Sequence, residues 1–536
     1  MSGQGVEAIS RLGRIVAAAG PQLVMLLDHV PPAEGAARDA RVQLGVLVKM
    51  CTADSIVFGV VTGFNIPLPA RYTDQDELEL VEIELIGEIA AEARSGSRRF
   101  QRGISIYPSL NTNVFAVSRA DLSLVYATPN VAAARIGTVH QDVSLPAFVL
   151  TDELLGKHFA ILGTTGTGKS CALALILRAI LAQHPAGHVV LLDVHNEYAH
   201  AFGDAAEVLT PASFELPYWL FTLEELEELV LGGSQERLVE GPILGELVLA
   251  AKRIFAHEMQ NTTPIAVDTP VPYRLADLDR LIDQAAGSLS KKTEPRIYLR
   301  IKSRLDALRL DPRFGFMFPR VHARDTMVQT LSRLFRIPVN GKPMTIIDLA
   351  SMPSEVLSVV VSVLCRITFD FALWGERSVP ILLVCEEAHR YCPIDNDTAF
   401  EPARRALARI AKEGRKYGVS LCLVSQRPSE LLPAVLSQCN TIFALRMTDN
   451  TDQDFVRGTL RESASGLLNF LPTLRNSEAI VIGEGVPVPV RVRIDDLPEE
   501  NRPMSGTAKF SRAWAKDLDD PGFLAAVVER WRGARP

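Results

Sequence analysis

Gly163-Thr164-Thr165-Gly166-Thr167-Gly168-Lys169-Ser170 matches the phosphate-cradling pattern G-x-x-x-x-G-K-[ST] at every fixed position. The apolar run His158–Leu162 enters it as a strand would, and Cys171–Leu177 leaves it as a helix would. The glycines let successive backbone N–H groups turn toward a polyphosphate, and the following helix adds its positive N-terminal end. Lys169 is placed to reach the β- and γ-phosphates, and the Ser170 hydroxyl to take a position on Mg²⁺. A chance glycine-rich turn would not bring both flanks with it. The stretch predicts a nucleoside-triphosphate site inside an α/β core.

A second element lies far downstream. Val379–Cys385 reads as a buried strand ending in Glu386 and Glu387. A site that hydrolyses a triphosphate needs one acid on the metal side and one to polarise the attacking water. Glu386 is assigned to the metal and Glu387 to the water, although glutamate at the first position departs from the commoner aspartate. The alternative is a strand capped by two solvated glutamates.

Three further strands suit a parallel sheet. Val189–Asp193 ends in an acid, with Glu197 close behind, at the sheet edge where open α/β folds place ligands. Val419–Ser425 leads to Gln426, which could sense the γ-phosphate or orient water, and Asn440–Arg446 follows. Between two strands, Pro402–Tyr417 carries Ala403, Leu407, Ile410 and Ala411 at helical spacing, with arginines and lysines between them. Such a run is ordinarily a solvated face. Its end beside the Gln426 strand makes an arginine reaching a neighbouring subunit's γ-phosphate a competing reading, with Arg415 the candidate.

The gap from Lys169 to Glu387 far exceeds what one or two strand–helix units need. Amphipathic stretches such as Leu223–Leu229 and Arg296–Leu305 fill it, broken by the linker 261–272. They predict a helical insertion whose basic helix either packs or touches nucleic acid. Ahead of the core, β-branched stretches at Arg41–Met50, Ser55–Thr62, Leu78–Ala90 and Asn113–Ala127 suggest a small β-barrel. A basic loop of Arg94, Arg98, Arg99 and Arg102 surrounds Phe100, and is either solvated or a phosphate-backbone contact. Ile480–Val492 reads as a hairpin closing the sheet, and Phe523–Trp531 as a terminal amphipathic helix suited to clasp a neighbour. The expected division is 1–135 barrel, 136–214 first core part, 215–340 insertion, 341–500 second core part and 501–536 extension.

Composition sets the outer limits. The chain has 536 residues, 47% of them hydrophobic and 22% charged, which are ordinary globular values and allow several domains. A net charge of −7 argues against a globally basic nucleic-acid coat but leaves room for a local basic channel. Seven scattered cysteines without a C-x-x-C pair suggest free thiols in a reducing compartment. No apolar run is read as long enough to span a bilayer, and Met1–Gly5 lacks a signal-peptide pattern, so the expected location is cytoplasmic, with no membrane partner.

These motifs together resemble the HerA-type ATPases, relatives of the FtsK DNA pumps. The resemblance rests on His158 with the Gly163–Ser170 loop, Asp193–Tyr198, Glu386–His389, Lys412–Gly418 and Val424–Ser429, and it covers most of residues 10–500. The Glu-Gly-Arg-Lys-Tyr-Gly run followed by Ser-Gln-Arg-Pro-Ser is its narrowest part. It implies a RecA-like P-loop core with a helical insertion and an N-terminal barrel, assembled as a homo-hexamer. ATP would lie at subunit interfaces, and double-stranded DNA would pass through the central channel. Lys169 and Ser170 would bind ATP and Mg²⁺, Glu387 would be catalytic, Gln426 a sensor and Arg415 a finger acting in trans. Lys157 would add a basic contact in cis where relatives often carry arginine, and Asp193-Val-His-Asn stands in place of the more usual Asp-Pro-His-Gly. The resemblance further implies a separate effector, either a nuclease or a sirtuin-like NAD-hydrolysing protein, in phage defence or DNA end resection. The alternative is an ATP-dependent scaffold that activates its effector without sustained translocation.

Overall fold

The computed structural model describes the chain apart from residues 1–9, 29–41, 67–77, 91–98, 233–235, 261–262, 288–293, 320–323, 395–399, 460–464, 505–509, 516–520 and 534–536. The chain forms two compact units. One comprises residues 1–183, 424–429 and 436–497, and the other residues 184–423, 430–435 and 498–536.

The first unit opens with a closed six-stranded barrel. Its strands are β1 (Arg11–Ala19), β2 (Gln22–Leu27), β3 (Leu47–Cys51), β4 (Ser55–Asn65), β5 (Leu80–Ala90) and β7 (Asn113–Ala116). They run in the order β2-β1-β7-β3-β4-β5, and β5 pairs back onto β2, so no edge is left among these six. Inward residues such as Ile15, Met25, Met50, Val57, Val61, Ile83 and Val114 fill the interior. A short strand, β6 (Phe100–Arg102), pairs with β5 outside the ring.

Two expectations change here. The stretch Asn113–Ala127 is not one strand, because Ser118 starts a helix at Arg119–Val125, its hydroxyl capping Asp121 while Asp121 caps back. Lys49 then reaches Asp121 at 2.5 Å, tying helix to barrel. Burial would raise the Asp121 pKa, but hydrogen bonds from Lys49 and Ser118 outweigh it and hold the carboxylate below its ordinary range. The basic loop is also reassigned. Arg102 donates to the carbonyls of Gly483, Val486 and Pro487, so its fork is used in joining barrel to sheet. Arg94 and Arg98 lie outside the described residues.

The same unit holds a run of sheet built from β8 (Ala133–Val139), β9 (Asp142–Leu150), β10 (Phe159–Leu162), β16 (Thr441–Leu445), β17 (Glu478–Gly483) and β18 (Val490–Ile494). β10 and β16 are parallel, whereas the run β16-β17-β18-β8-β9 is antiparallel throughout. The 480–492 segment is therefore a hairpin, with β8 and β9 continuing the sheet beyond it.

The second unit has a parallel sheet in the order β12-β13-β11-β14-β15. These strands are β11 (Val189–Asp193), β12 (Ala206–Leu209), β13 (Met344–Asp348), β14 (Ile381–Cys385) and β15 (Val419–Ser425), the last two residues of which count with the first unit. Four of the five are buried at every position, as strands covered on both faces must be. Helices Leu223–Leu231, Arg237–Glu258, Leu275–Gly287, Pro295–Leu310 and Met327–Phe335 occupy the stretch between β12 and β13.

The basic helix of this insertion is neutralised from within. Arg300 and Arg304 both pair with the fully buried Glu240, and Lys302 pairs with Asp283 at 2.6 Å. Arg300 and Arg304 thus serve packing. The buried Lys252 donates to the carbonyls of Val267 and Thr269 at 2.6 and 2.7 Å, and burial pulls its pKa down to about 8.

One sequence expectation is corrected by the helix Ser354–Trp374. Its run Val356–Trp374 has a mean hydropathy of 2.0 and is long and apolar enough to cross a bilayer, yet 78% of it is buried within the fold. Arg366 on this helix pairs with the buried Glu225 at 2.9 Å, a charge contact that fits a protein interior.

Candidate nucleotide site

In the first unit the loop Gly163–Gly168 joins β10 to the helix Lys169–Gln183. Gly166 and Gly168 have φ of 76° and 103°, in the region that side-chain-bearing residues avoid, so glycine is required for this curl. Within the loop, the Thr167 hydroxyl donates to the Thr164 carbonyl at 2.7 Å, and Lys169 Nζ donates to the same carbonyl at 3.0 Å. The Lys169 side chain thereby folds back onto the loop. Ser170 follows in the first turn of the helix.

Three neighbouring segments hold the loop from outside. Gly163 donates its N–H to Ser425, and Thr164 donates both N–H and hydroxyl to the Arg446 carbonyl at 3.0 and 3.1 Å. Ser477 donates its N–H to the Thr167 carbonyl at 3.1 Å. Thr165 donates its hydroxyl to Gln426, so the expected sensor glutamine touches the loop. Lys157, the expected basic contact in cis, is instead committed to two carboxylates, Glu153 at 2.5 Å and Glu484. Burial would lower its pKa, but those carboxylates outweigh it and keep the ammonium charged.

In the second unit acids gather at the carboxyl ends of three adjacent strands: Asp193 ends β11, Asp348 ends β13 and Glu386 follows β14. Asp193 is fully buried and accepts the N–H groups of His195, Glu197 and Tyr198 at 3.0–3.2 Å. It holds the 193–198 turn in shape, a structural use that the sequence reading did not give it. Glu386 is 3% exposed and accepts the Val194 N–H at 3.1 Å. Burial, followed by the charges of Asp193, Glu387 and Glu197, pushes its pKa up to about 9. Glu387 is equally buried, sits in the left-handed backbone region (φ 46°, ψ 46°) and has His389 Nδ1 at 3.2 Å. That backbone costs of order 1 kcal/mol or more in a non-glycine residue, a strain met most often at functional positions.

Oxygen donors of this type suit Mg²⁺, which keeps several waters and binds through few protein groups. Among the described residues no group of three or more His, Cys, Asp or Glu could hold a metal ion.

On the helix Glu401–Tyr417 the first turns are pinned. Arg405 pairs with Glu401 and Glu224, and Arg409 pairs with Asp370 and stacks on Phe369 at 4.0 Å. Arg415, in the last turn, is exposed and makes no ion pair among the described residues.

The sequence profile described as the central domain of the helicase HerA matches residues 134–368. The chain is an ATP-hydrolysing P-loop enzyme, and these residues are similar to the HerA central domain. Its relatives include the DNA double-strand break repair helicase HerA of Pyrococcus furiosus, 26% identical over 456 residues, covering 78% of this chain and 77% of that one. The helicase of the same description from Sulfurisphaera tokodaii is 22% identical over 502 residues, covering 90% of this chain and 94% of its own. Among solved structures, VirB4 of Thermoanaerobacter pseudethanolicus aligns with a TM-score of 0.49 at 16% identity, over 70% of this chain and 98% of that one.

The core also contains residues that the sequence reading passed over. Ser477 and the Arg446 carbonyl brace the loop yet belong to no motif, and no local signal marks them. Asp348 could have been found, since Met344–Asp348 is an apolar run ending in an acid, the same pattern that marked Asp193.

Proposed function

We propose that this chain is an ATP-driven motor on double-stranded DNA, assembled as a homo-hexamer and working with a separate effector. The observation that carries the reading is the Lys169-closed loop in a HerA-type core, with Arg415 left exposed on its own helix. The names of the relatives, DNA break repair helicases, support DNA as the track.

Lys169 neutralises the β- and γ-phosphates, and the loop N–H groups hold them in register. Mg²⁺ would supply charge neutralisation at the transferred phosphate, and the Ser170 hydroxyl and Glu386 would hold it. Glu387 orients and polarises the attacking water, and Gln426, already joined to Thr165, reads the γ-phosphate. Arg415 of the next subunit completes the site, which makes turnover report on the subunit boundary. Asp193 keeps the Val194 N–H aimed at Glu386 through the turn it holds, and Glu197 adds negative charge nearby. Lys157 is a secondary contact, freed only when Glu153 and Glu484 let go.

The terminal segment suits the role of clasp on a neighbour. Trp514, Leu524 and Trp531 are exposed on it, and Phe510 and Trp514 pack edge to face at 5.2 Å. The effector, a nuclease or a sirtuin-like NAD-hydrolysing protein acting in end resection or phage defence, is supplied by another chain. The motor itself is cytoplasmic.

The test is ATP hydrolysis by the purified protein with and without linear duplex DNA, alongside native mass. A six-subunit mass and DNA-stimulated turnover are expected. Glu387→Gln is expected to keep ATP binding and lose turnover by about a hundredfold, the usual worth of a positioned base. Normal hydrolysis by that variant would remove Glu387 from its role. A six-subunit ring whose turnover ignores DNA would favour the scaffold that activates an effector without translocating.

A further inference from the structure

The loop is braced by two segments that no nucleotide motif includes. Arg446 lies one residue past the last ladder pair of β16 with β17, Leu445 with Ala479, and Ser477 lies just ahead of β17. The ladder between these strands therefore stops short of both braces. A side-chain bond continues it: Arg446 Nη2 donates to Asn476 Oδ1 at 2.7 Å.

With this bond the contacts close a ring. Arg446 accepts from Thr164, Thr167 donates to Thr164, Ser477 donates to Thr167, and Asn476 next to Ser477 returns to Arg446. Ser477 has a φ of 60°, a left-handed conformation that a non-glycine residue keeps only when its surroundings hold it. Its carbonyl accepts the Ile494 N–H at 2.8 Å, and the preceding Arg475 N–H is held by Glu478 at 3.0 Å. One side of the ring is thus anchored on β18 and the other on β16. The span between Thr164 and Thr167 is the part of the loop that curls.

We infer that Arg446 and Asn476 are a positioning pair that sets the shape of the phosphate loop for ATP. The inference rests on the reading of Gly163–Ser170 as the ATP site. The pair acts through the loop: it fixes how far apart the Thr164 and Thr167 braces stand, and so how the N–H groups converge. Its loss weakens nucleotide binding and leaves the chemical step with the acids and Lys169 largely intact. A direct phosphate contact by Arg446 would behave differently, because Asn476 would then be dispensable.

The experiment compares affinity for a non-hydrolysable ATP analogue by calorimetry, with steady-state KM and kcat, in wild type, Arg446→Ala, Asn476→Ala, the double variant and Asn476→Asp. Each single variant is expected to weaken analogue binding by about twofold to tenfold, the range for losing one hydrogen bond. KM should rise in step with little change in kcat. The double variant should be no worse than either single one, because both remove the same bond. Asn476→Asp keeps the acceptor and adds charge, so it should bind at least as well as wild type. Additive losses, or a silent Asn476→Ala beside a damaging Arg446→Ala, would overturn the pair. Wild type and Lys169→Ala separate the two levels. If wild type fails to bind the analogue, the ATP-site reading fails; if it binds and the pair is silent, only the pair fails.

Discussion

Arg415→Ala is expected to lower ATP turnover by about a thousandfold while leaving the native mass of the assembly unchanged, the scale of an arginine finger supplied in trans. The reason lies in how the charges of its helix are distributed. Arg405 and Arg409 are tied to Glu224, Glu401 and Asp370, and removing either would disturb packing. Arg415 has no such attachment among the described residues and stays exposed. Its removal should therefore leave the subunit folded, so lost turnover would report on chemistry at the boundary. Arg415→Lys should recover little, because an ammonium cannot present the planar fork that a transferring phosphate takes. Mixing Arg415→Ala subunits with Lys169→Ala subunits sharpens the test. If the finger acts in trans, some mixed boundaries pair an intact loop with an intact arginine, and turnover partly returns. Full turnover by Arg415→Ala alone would end the assignment.

Lys169→Ala is expected to abolish measurable turnover and to weaken ATP binding. Lys169 is buried to 6% exposure, and its Nζ is held 3.0 Å from the Thr164 carbonyl, so its charge is fixed before phosphate arrives. Preorganised charge of this kind gives up little on reaction, and its loss costs about a hundredfold or more in rate. The same lysine also closes the loop on itself. The alanine variant should therefore lose some stiffness between Thr164 and Thr167 along with its charge. Lys169→Arg keeps the charge but lengthens and widens the group, and should recover little, because its fork does not fit the space of one ammonium. Turnover at the wild-type rate in Lys169→Ala would contradict the ATP site itself.

What was legible in the sequence was whatever a short stretch encodes by itself. Gly163–Ser170 declares its curl through its glycines, and Val189–Asp193, Ile381–Cys385 and Val419–Ser425 declare buried strands through unbroken apolar runs. The barrel was legible in outline. Its first two strands were missed, although Gly20-Pro21 punctuates the apolar runs Arg11–Ala19 and Gln22–Leu27 as a tight turn should. The helix Arg119–Val125 stayed hidden because its capping signal is Ser118 with Asp121, and the residues after it carry strand-like side chains.

Pairing partners were the larger blind spot. Arg300 and Arg304 look like a free basic stripe until the structure brings up Glu240 from another helix, and Lys157 looks free until Glu484 arrives. Asp193 reads as a ligand-side acid, but the backbone of its own turn takes both its oxygens. Each miss comes from a contact between residues distant in the chain or from a backbone geometry that composition does not record. The bracing of the loop by Arg446 and Ser477 is of the same kind. It depends on a ladder that stops one residue short, which only the register shows.

The most direct test of the motor is displacement of a third strand from a linear duplex, followed as ATP is consumed. Wild type is predicted to strip the third strand in an ATP-dependent way, while Glu387→Gln binds ATP and leaves it in place. ATP consumed at the normal rate with the third strand untouched would contradict translocation.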